Sequence, residues 1–427
     1  MSVRGGYRLL EGVKVLECAL LLNGDTVGMF FADLGAEVTK IEDPVRGDYI
    51  RDILGQIKPR VSPAHLQVNK NKRSVALDVR DPRGRAAFLE LVKQADVFID
   101  GMRAGAADKM GIGYAALKAV KTDIIYVQCT GYGAHGPYAN IPTHGYQMTA
   151  LPGGLPARIG PDGRPQRARG VQYMGGVEES SAASYLAAEA ATTAALAALV
   201  RRGRTGEGAY IDVGASDAVL AAAWQGIVYT LNYDRITEFK SLSRKQASYE
   251  AKWPEGSARY QLYETKDGKF MLFGAVERKF WEAFCTLAGR EDLAGTFSPD
   301  LHIDFGESTP GLRDEVQAIF RTRTLDEWMA DAAPLGIPMG PAHAIEDVPS
   351  DPHIQARGIL LEREDAGIGP FTYVTFPARI DGLDYAPPRI APRHGSDTIE
   401  VLGNAGIEAA VIDDLLASRI AKQDPGA

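Results

Sequence analysis

Polar residues that could carry out acyl chemistry lie at the start of a long alanine-rich stretch. Glu178 and Glu179 precede Ser184 by six and five residues, and small apolar residues then recur through Val200. A carboxylate can act as a nucleophile, whereas a serine hydroxyl needs a histidine and an acid to activate it. No such pair is evident near Ser184. We therefore interpret Ser184 first as a small helix residue, and the two glutamates as acids that a helix N-terminus favours.

One histidine lies in a segment with a possible chemical role. His144 belongs to the segment IPTHGYQ, which follows a glycine-rich turn. A lone histidine in such a loop is typically a hydrogen-bonded structural residue, and a proton shuttle is the alternative. The seven histidines form no HxxxH pair, and Cys18, Cys129 and Cys285 lie far apart. These spacings predict neither a structural metal nor a disulfide framework, and they suit a reduced cytoplasm.

A basic segment precedes a predicted strand. Residues 69–78, NKNKRSVALD, include Lys72 and Arg73. Fixed cations of this kind are what phosphate groups require, and a solvated loop is the simpler alternative.

The composition limits the classes of protein that remain. The chain has 427 residues, 45% of them apolar, and a net charge of −8. These are ordinary globular values, and the length suffices for one large or two modest domains. The acidic balance argues against a nucleic-acid partner, and the apolar runs are shorter than a membrane span. The N-terminal segment lacks the apolar core of a signal peptide, so we expect a cytoplasmic protein.

Strand and helix patterns alternate along the first half of the chain. This alternation predicts an α/β fold with a parallel, doubly wound sheet. The predicted strands are 12–17, 36–42, 95–100, 123–129 and 209–213. The predicted helices are 26–34, 82–93 and an alanine-rich helix that begins at Ser180 or Ser181 and ends at Gly203.

The first turn between strand and helix argues against a nicotinamide cofactor. Asn23, Gly24 and Asp25 stand where a dinucleotide-binding fold would carry three glycines, and only one is present. We interpret Asp25 as the N-cap of the helix that follows.

Four motifs occur in the same order as in a known family. They are ADLGAEVTKIEDPVRGD, NKNKRSVALD, GMRAGAADKMG and ALVRRGRTGEGAYIDV. Together they resemble family III CoA-transferases, the group that also contains the 2-methylacyl-CoA racemases. The resemblance implies a large Rossmann-like CoA-binding domain from residues 1–220 and 345–427. It also implies a linker and a smaller α+β domain at 221–344, and an interlocked, ring-like dimer.

The resemblance also implies which residues bind the substrate. Coenzyme A or its acyl thioester would be bound as a substrate, with no metal or nicotinamide. The side chains at the matching positions are Arg46, Lys72, Arg73, Met102, Lys109 and Met110.

The central departure from the family is a missing carboxylate. Family members carry an aspartate at the N-terminal end of the alanine-rich helix, where it is the nucleophile of the transferases and an acid/base of the racemases. Counting back from Thr205, the transferase register reaches Ser184 and the racemase register reaches Ala183. Neither residue is an acid.

Four interpretations of the function follow. The first is a CoA-transferase subunit that moves CoA from a donor such as succinyl-CoA to an organic acid. It would depend on a homologous subunit that carries the aspartate, as in the two-subunit benzylsuccinate CoA-transferases. The alternatives are a homodimeric transferase that uses Glu178 or Glu179, a racemase-like enzyme that uses His144, and a non-catalytic acyl-CoA-binding protein.

Overall fold

The computed structural model describes residues 5–155, 157–167, 182–236, 257–365 and 367–424. Contacts divide the chain into two compact units. Unit 1 contains the described residues of 1–155, 177–222 and 357–427, and unit 2 contains those of 156–176 and 223–356. The domain boundaries at 220/221 and 344/345 stay a prediction; the division by contacts lies at 222/223 and 356/357, and it also groups the described residues of 156–176 with unit 2.

The strands are, in chain order, β1 (Lys14–Ala19), β2 (Glu37–Glu42), β3 (Arg73–Leu77), β4 (Val97–Gly101), β5 (Ile125–Thr130), β6 (Ala157–Ile159), β7 (Pro165–Arg167), β8 (Ala209–Gly214), β9 (Gln261–Glu264), β10 (Phe270–Phe273), β11 (Met339–Pro341), β12 (Leu360–Asp365), β13 (Gly369–Val374) and β14 (Ala421–Lys422).

The helices are, in chain order, α1 (Leu22–Asp33), α2 (Pro63–Val68), α3 (Pro82–Gln94), α4 (Ala106–Lys109), α5 (Tyr114–Val120), α6 (Tyr146–Ala150), α7 (Ala182–Thr205), α8 (Ala215–Ala222), α9 (Trp224–Asn232), α10 (Arg278–Ala288), α11 (Leu312–Phe320), α12 (Leu325–Leu335), α13 (Pro352–Arg357), α14 (Thr398–Asn404) and α15 (Ala409–Ala417).

Unit 1 is organised around a seven-stranded sheet in the order β14-β3-β2-β1-β4-β5-β8. Six of these strands pair in parallel, and β14 joins the edge antiparallel to β3. The C-terminal segment therefore completes the sheet that the N-terminal segment begins. This architecture confirms the α/β class with a parallel Rossmann-like sheet.

Two apolar layers cover the faces of this sheet. Successive strand residues point to opposite faces, so Val15 packs in one layer and Leu16 in the other. Helices α1, α7 and α8 contribute buried residues to the first layer, and α3, α5, α14 and α15 contribute to the second. Central strands buried on both faces are typical of parallel sheets.

Helix α7 is long and apolar enough to cross a membrane by composition alone, which the sequence prediction did not anticipate. Five of its alanines instead lie in the core of unit 1. Ala183, Ala187, Ala188, Ala191 and Ala195 are fully buried in the first layer. Alanine allows α7 to approach its neighbour α1 closely, because the side chain is a single methyl group. The helix is therefore a core element of the sheet layer.

Unit 2 has its own apolar core. The antiparallel sheet β9-β10-β11 packs with helices α10 to α12 around buried aromatic residues such as Trp281, Phe284 and Trp328. The turn predicted at 266–268 connects β9 and β10 as an antiparallel hairpin.

Two local predictions at helix ends are wrong. Helix α7 continues past Gly203 to Thr205, and Gly206 adopts the left-handed conformation with φ of 72°. Asp25 is not an N-cap, because α1 begins at Leu22 without a side-chain cap. Burial against other elements overrides the local signals in the second case, as described below. The predicted start of α7 at Ser180 or Ser181 lies outside the described residues.

A glycine pair brings the start of α1 against the end of β4. A Cβ atom on Gly24 would lie 2.9 Å from the Cα of Gly101 and 2.5 Å from the Cβ of Ala19. These distances are shorter than real Cβ contacts, so only glycine fits at position 24.

We expect Gly24→Ala to lower the free energy of unfolding by about 1–3 kcal/mol, since the added methyl group overpacks a backbone contact. Urea denaturation measures the change. The matched control is Gly203→Ala in α7, where nothing lies within 4 Å of the new Cβ. That substitution should stabilise the protein by about 0.5–1 kcal/mol, because alanine is the better helix former. Equal effects of the two substitutions would contradict the packing argument.

Candidate active site

A cavity of about 750 Å³ opens at the carboxyl ends of the central strands of unit 1. The residues that follow β1, β4 and β5 line it, together with the first turns of α1 and α7. In open α/β sheets, ligands bind at this edge. The described lining residues are Leu20, Leu21, Leu22, Asn23, Tyr49, Ile53, Leu54, Gly101, Met102, Arg103, Ala106, Thr130, Gly131, Tyr132, Ala139, Ile141, Pro142, Thr143, His144, Gly145, Met148 and Ser184.

Ser184 lines the cavity from the first described turn of α7. The residue is 3% exposed, and its Oγ donates a hydrogen bond to Asn23 Oδ1 at the start of α1. Asn23 Nδ2 in turn donates to the Sδ of Met148 at 3.4 Å. Ala183 is fully buried in the core and is not among the lining residues. Of the two positions reached by counting back from Thr205, only 184 therefore faces the cavity.

His144 lines the same cavity and is exposed. Its backbone N–H donates to Oε1 of Gln147 at 2.8 Å. The structure therefore brings His144 and Ser184, two of the four predicted catalytic residues, to one cavity. Glu178 and Glu179 lie outside the described residues.

The predicted CoA-binding residues divide into two groups. Met102 lines the cavity, and its N–H donates to Oδ1 of the buried Asp100 at 3.0 Å. Arg46 and Lys109 are exposed but are not among the lining residues, and Met110 packs with the second apolar layer.

Arg73 is turned away from this cavity. Its guanidinium lies 3.4 Å from Oε1 of Glu400, and the residue lines a separate cavity of about 310 Å³ with Lys14 and Leu16. Lys14 begins β1, whereas the large cavity lies beyond the other end of that strand. The basic segment therefore does not present its two central cations together.

Lys72 belongs to a buried cluster beside α1. Its Nζ donates to Glu17 Oε2 at 2.7 Å, to the carbonyl oxygen of Asp25 at 2.8 Å and to Asn69 Oδ1 at 2.9 Å. These three acceptors use all the donors of one ammonium group. Contact with a phosphate would require this network to open.

Lys40 lies at the centre of the same cluster and is fully buried. Its Nζ contacts carboxylates of Asp25, of Glu17 at 3.2 Å and of Asp48 at 2.9 Å. Burial alone would lower the pKa of the Lys40 ammonium, but Asp25, Asp48 and Glu17 raise it well above its usual value. The cluster therefore keeps a charged lysine inside the protein.

This cluster also shapes one wall of the cavity. Both carboxylate oxygens of Asp48 accept the N–H of Leu21, at 3.2 and 3.3 Å. Leu21 has φ of 60° and ψ of −149°, a conformation that costs a residue with a side chain about 1–3 kcal/mol. Burial raises the pKa of Asp48 to about 6, against the opposing effect of Lys40. The buried charges thus hold a strained residue at the entrance to α1.

Three cavity residues were missed by the sequence prediction. Asn23 accepts a hydrogen bond from Ser184. Arg103 is the only Asp, Glu, Lys or Arg among the described lining residues. Thr130 contributes a buried side chain with a hydroxyl group. Thr130 is the last residue of β5, Asn23 lies a few residues after β1, and Arg103 lies shortly after β4. The position of polar residues just after predicted parallel strands was the available signal.

Among the described residues, no group of three or more His, Cys, Asp and Glu side chains has a metal-binding arrangement. The cavity instead offers small polar groups, one guanidinium and apolar walls. It is suited to a ligand with an apolar chain and a few polar ends.

Comparison with known proteins identifies the class. CoA-transferase family III matches residues 10–398. The chain therefore belongs to family III CoA-transferases, and it is an enzyme of that kind.

Two relatives and one solved structure illustrate the similarity. Succinyl-CoA–D-citramalate CoA-transferase of Chloroflexus aurantiacus is 28% identical, with 94% of this chain and 96% of the relative aligned. The alpha subunit of succinyl-CoA–L-malate CoA-transferase from the same species is 29% identical, over 92% of this chain and 88% of the relative. A CaiB/BaiF family protein from Brucella suis has 26% identity and a TM-score of 0.69, and covers 92% of this chain and 98% of its own.

A buried histidine beside this cluster predicts a pH dependence of stability: Nδ1 of His65 lies 3.1 Å from Nδ2 of Asn69, and its Nε2 lies 3.0 Å from a guanidinium nitrogen of Arg51. Burial, followed by Arg51, lowers the pKa of His65 to about 3, so His65 is neutral in the folded protein at neutral pH. The unfolded chain binds a proton below about pH 6.5, whereas the folded chain does not until about pH 3. Lowering the pH through this window should therefore remove stability, by up to about 1.4 kcal/mol per pH unit.

The variant His65→Gln should flatten this dependence, and urea denaturation from pH 7 to pH 4 measures it. Asp48 contributes to the pH dependence of stability with the opposite sign. Its pKa is raised in the folded protein, so lowering the pH favours the folded state over the unfolded chain. That contribution is common to both proteins, so the difference between them isolates His65. The control His353→Gln alters an exposed residue of α13 and should keep the wild-type slope. An unchanged slope in His65→Gln would contradict the assignment.

Proposed function

We propose that this chain is a subunit of an acyl-CoA:carboxylate CoA-transferase and that its turnover depends on a carboxylate supplied by a homologous chain. The donor is a thioester such as succinyl-CoA, and the acceptor is an organic acid. The observation that carries the proposal is that Ser184, the position reached by counting back from Thr205 in the transferase register, lines the cavity. The similarity to the alpha subunit of succinyl-CoA–L-malate CoA-transferase supports a two-subunit assembly.

The chemistry of the family explains why a serine is inadequate. An aspartate attacks the thioester carbonyl, expels the CoA thiolate and forms a mixed anhydride. The thiolate then attacks the aspartyl carbonyl, which gives an enzyme thioester and releases the donor acid. The acceptor acid then attacks the enzyme thioester and expels the CoA thiolate, which gives a second mixed anhydride. The thiolate attacks the acyl carbonyl of the acceptor, which forms the new thioester and frees the aspartate. A seryl ester is too stable to exchange with a weakly nucleophilic carboxylate, so Ser184 cannot take this role.

The proposed CoA contacts follow the cavity outwards. Met102 would contact the thioester arm inside the cavity, and Met110 would contact it further out. The exposed Arg46 and Lys109 would meet the phosphates. Lys72 and Arg73 are omitted from this proposal, because the first is saturated by its buried acceptors and the second lies beside Glu400.

Association with a second chain is part of the proposal. Helix α9 buries none of its residues in the single chain, and Trp224, Val228 and Leu231 are exposed on it. Apolar side chains that remain exposed on one helix are typical of an interaction surface. We infer an interlocked dimer, with itself or with the aspartate-bearing homologue, in the cytoplasm.

Ser184→Asp should confer CoA transfer on the purified chain, because it restores a carboxylate that faces the cavity. The wild-type chain alone should give none. Mass spectrometry detects the products after incubation in D₂O with succinyl-CoA and a panel of carboxylic acids. The matched control is Ser184→Asn, because asparagine has the same shape as aspartate but no charge. This variant should stay inactive.

The other outcomes identify the alternatives. Transfer by the wild-type chain alone would assign the chemistry to another carboxylate, and Glu178 and Glu179 would be substituted next. Deuterium at an α-carbon would favour a racemase-like reaction through His144. A Ser184→Asp variant that stays inert with every acid would refute the role given to position 184.

A further inference from the structure

We propose that Asp48 is a positioning residue for the cavity, and that the buried cluster around Lys40 takes up one proton whose presence on Asp48 releases Leu21. The inference goes beyond the proposed function, because it concerns what holds the cavity wall in place. It rests on that function only for the thioester that serves as a probe in one of the measurements.

Asp48 connects the buried cluster to the first turn of α1. Its two carboxylate oxygens accept the N–H of Leu21 at 3.2 and 3.3 Å, and Oδ1 also accepts the N–H of Ile50 at 2.9 Å. Leu21 lines the cavity and directly precedes α1, and Asn23 accepts the hydrogen bond of Ser184 two residues further on. A change in how Asp48 holds Leu21 therefore reaches the polar wall of the cavity, although Asp48 is not among the described lining residues.

The backbone of Leu21 needs a strong acceptor. Its φ of 60° and ψ of −149° form a conformation that residues with a side chain rarely adopt. An ionised Asp48 provides a charge-assisted hydrogen bond, whereas a protonated carboxyl group is a weaker acceptor. Protonation of Asp48 should therefore allow Leu21, and the first turn of α1 with it, to relax.

The cluster and the Arg51–Glu42 pair beside it contain more acids than bases. Fully ionised, four buried carboxylates and three buried cations of the described residues would leave one negative charge unpaired inside the protein, which is costly. Uptake of one proton removes this charge. The carboxylates are those of Glu17, Asp25, Glu42 and Asp48, and the cations are Lys40, Arg51 and Lys72.

Two histidines beside the cluster do not supply the missing positive charge. Nδ1 of His65 faces Nδ2 of Asn69 at 3.1 Å, and because an amide nitrogen is a donor, this ring nitrogen carries no proton. His394 donates from Nε2 to the carbonyl oxygen of Asp43 at 2.9 Å, and its Nδ1 faces the ammonium of Lys422 at 3.5 Å. Burial also lowers the pKa of both histidines, so both rings are neutral at neutral pH.

The other titratable groups near Asp48 are also uncharged at neutral pH. Burial raises the pKa of the Cys18 thiol on β1 and of the Tyr49 hydroxyl, so both remain protonated. Among the described residues, the charge of the cluster is therefore set by its carboxylates, its two lysines and Arg51.

The proton belongs to Asp25 and Asp48. Glu17 contacts two ammonium groups, and Glu42 accepts two N–H groups of one guanidinium, so both of these stay ionised. Asp25 and Asp48 instead share the single ammonium of Lys40. Burial raises the pKa of Asp25, and it raises the pKa of Asp48 to about 6. Two carboxylates that share one cation titrate as a pair, so proton uptake by this pair weakens the acceptor that holds Leu21.

Binding of butyryl-CoA to the full-length chain as a function of pH tests the positioning role. Asp48→Asn keeps the shape of the side chain and resembles the protonated carboxyl group at every pH. We expect this variant to bind about 10-fold more weakly than the wild type at about pH 7, and the two affinities to converge at about pH 5. Calorimetry measures both. Titration of the CoA phosphates and of His144 is common to both proteins, so the difference between them isolates Asp48.

Asp25→Asn distinguishes a shared proton from a purely structural role of the cluster. This variant removes the excess negative charge, so Asp48 no longer shares Lys40 and should stay ionised at lower pH. The loss of affinity should therefore move to lower pH than in the wild type. The matched control Asp52→Asn alters an exposed carboxylate of the same segment, which is paired with Arg60, and should keep the wild-type pH profile.

Two measurements without a ligand test the same role. Hydrogen exchange followed by mass spectrometry should be faster in peptides that contain Leu21 for Asp48→Asn than for the wild type or Asp52→Asn at the same pH. Infrared spectroscopy at about pH 5 should show the C=O band of a protonated carboxyl group, and Asp48→Asn should reduce this band. Asp100, whose pKa burial also raises to about 6, contributes equally to both proteins.

Each measurement has a result that would overturn the inference. Parallel pH profiles of the wild type and Asp48→Asn, or a profile that Asp25→Asn leaves in place, would exclude the shared proton. Equal exchange in the peptides that contain Leu21 would exclude the positioning role. If Asp48→Asn does not fold, the profiles of the wild type and Asp25→Asn still decide between these outcomes. If butyryl-CoA binds to none of the proteins, the proposed function is refuted, and the exchange and infrared results alone decide this inference.

Discussion

The ammonium of Lys40, surrounded by Asp25, Asp48 and Glu17, is the interaction on which the site depends. Burying a charge is costly unless it is paired, so the carboxylates and the lysine require one another. Their elements are β1, α1, β2 and the segment that follows β2. Because Asp48 also accepts the N–H of Leu21, the same cluster positions the first turn of α1. Asn23, and through it Ser184, are therefore positioned by buried charges that are not among the described lining residues of the cavity.

The structure separates the requirements of folding from those of catalysis. The fully buried alanines of α7 pack in the core and hold the helix against the sheet. Ser184 lies on the same helix without leaving its hydroxyl unsatisfied, since Asn23 accepts its proton. A chain that lost its own chemistry would still need this helix to fold and to assemble. The proposed dependence on a partner is therefore compatible with the intact architecture of this unit.

The sequence by itself determined the alternation of strands and helices, the order of the family motifs and the serine at position 184. These features depend on local periodicity and on residue identity, which can be read without a fold. Only the tertiary structure decided which polar residues meet. It assigned Lys72 to a buried cluster, turned Arg73 towards Glu400, made Asp25 a partner of Lys40 and brought Asn23, Thr130 and Ser184 to one cavity. The physical reason is that burial and charge pairing are set by contacts between residues far apart in the chain, and no local pattern records them.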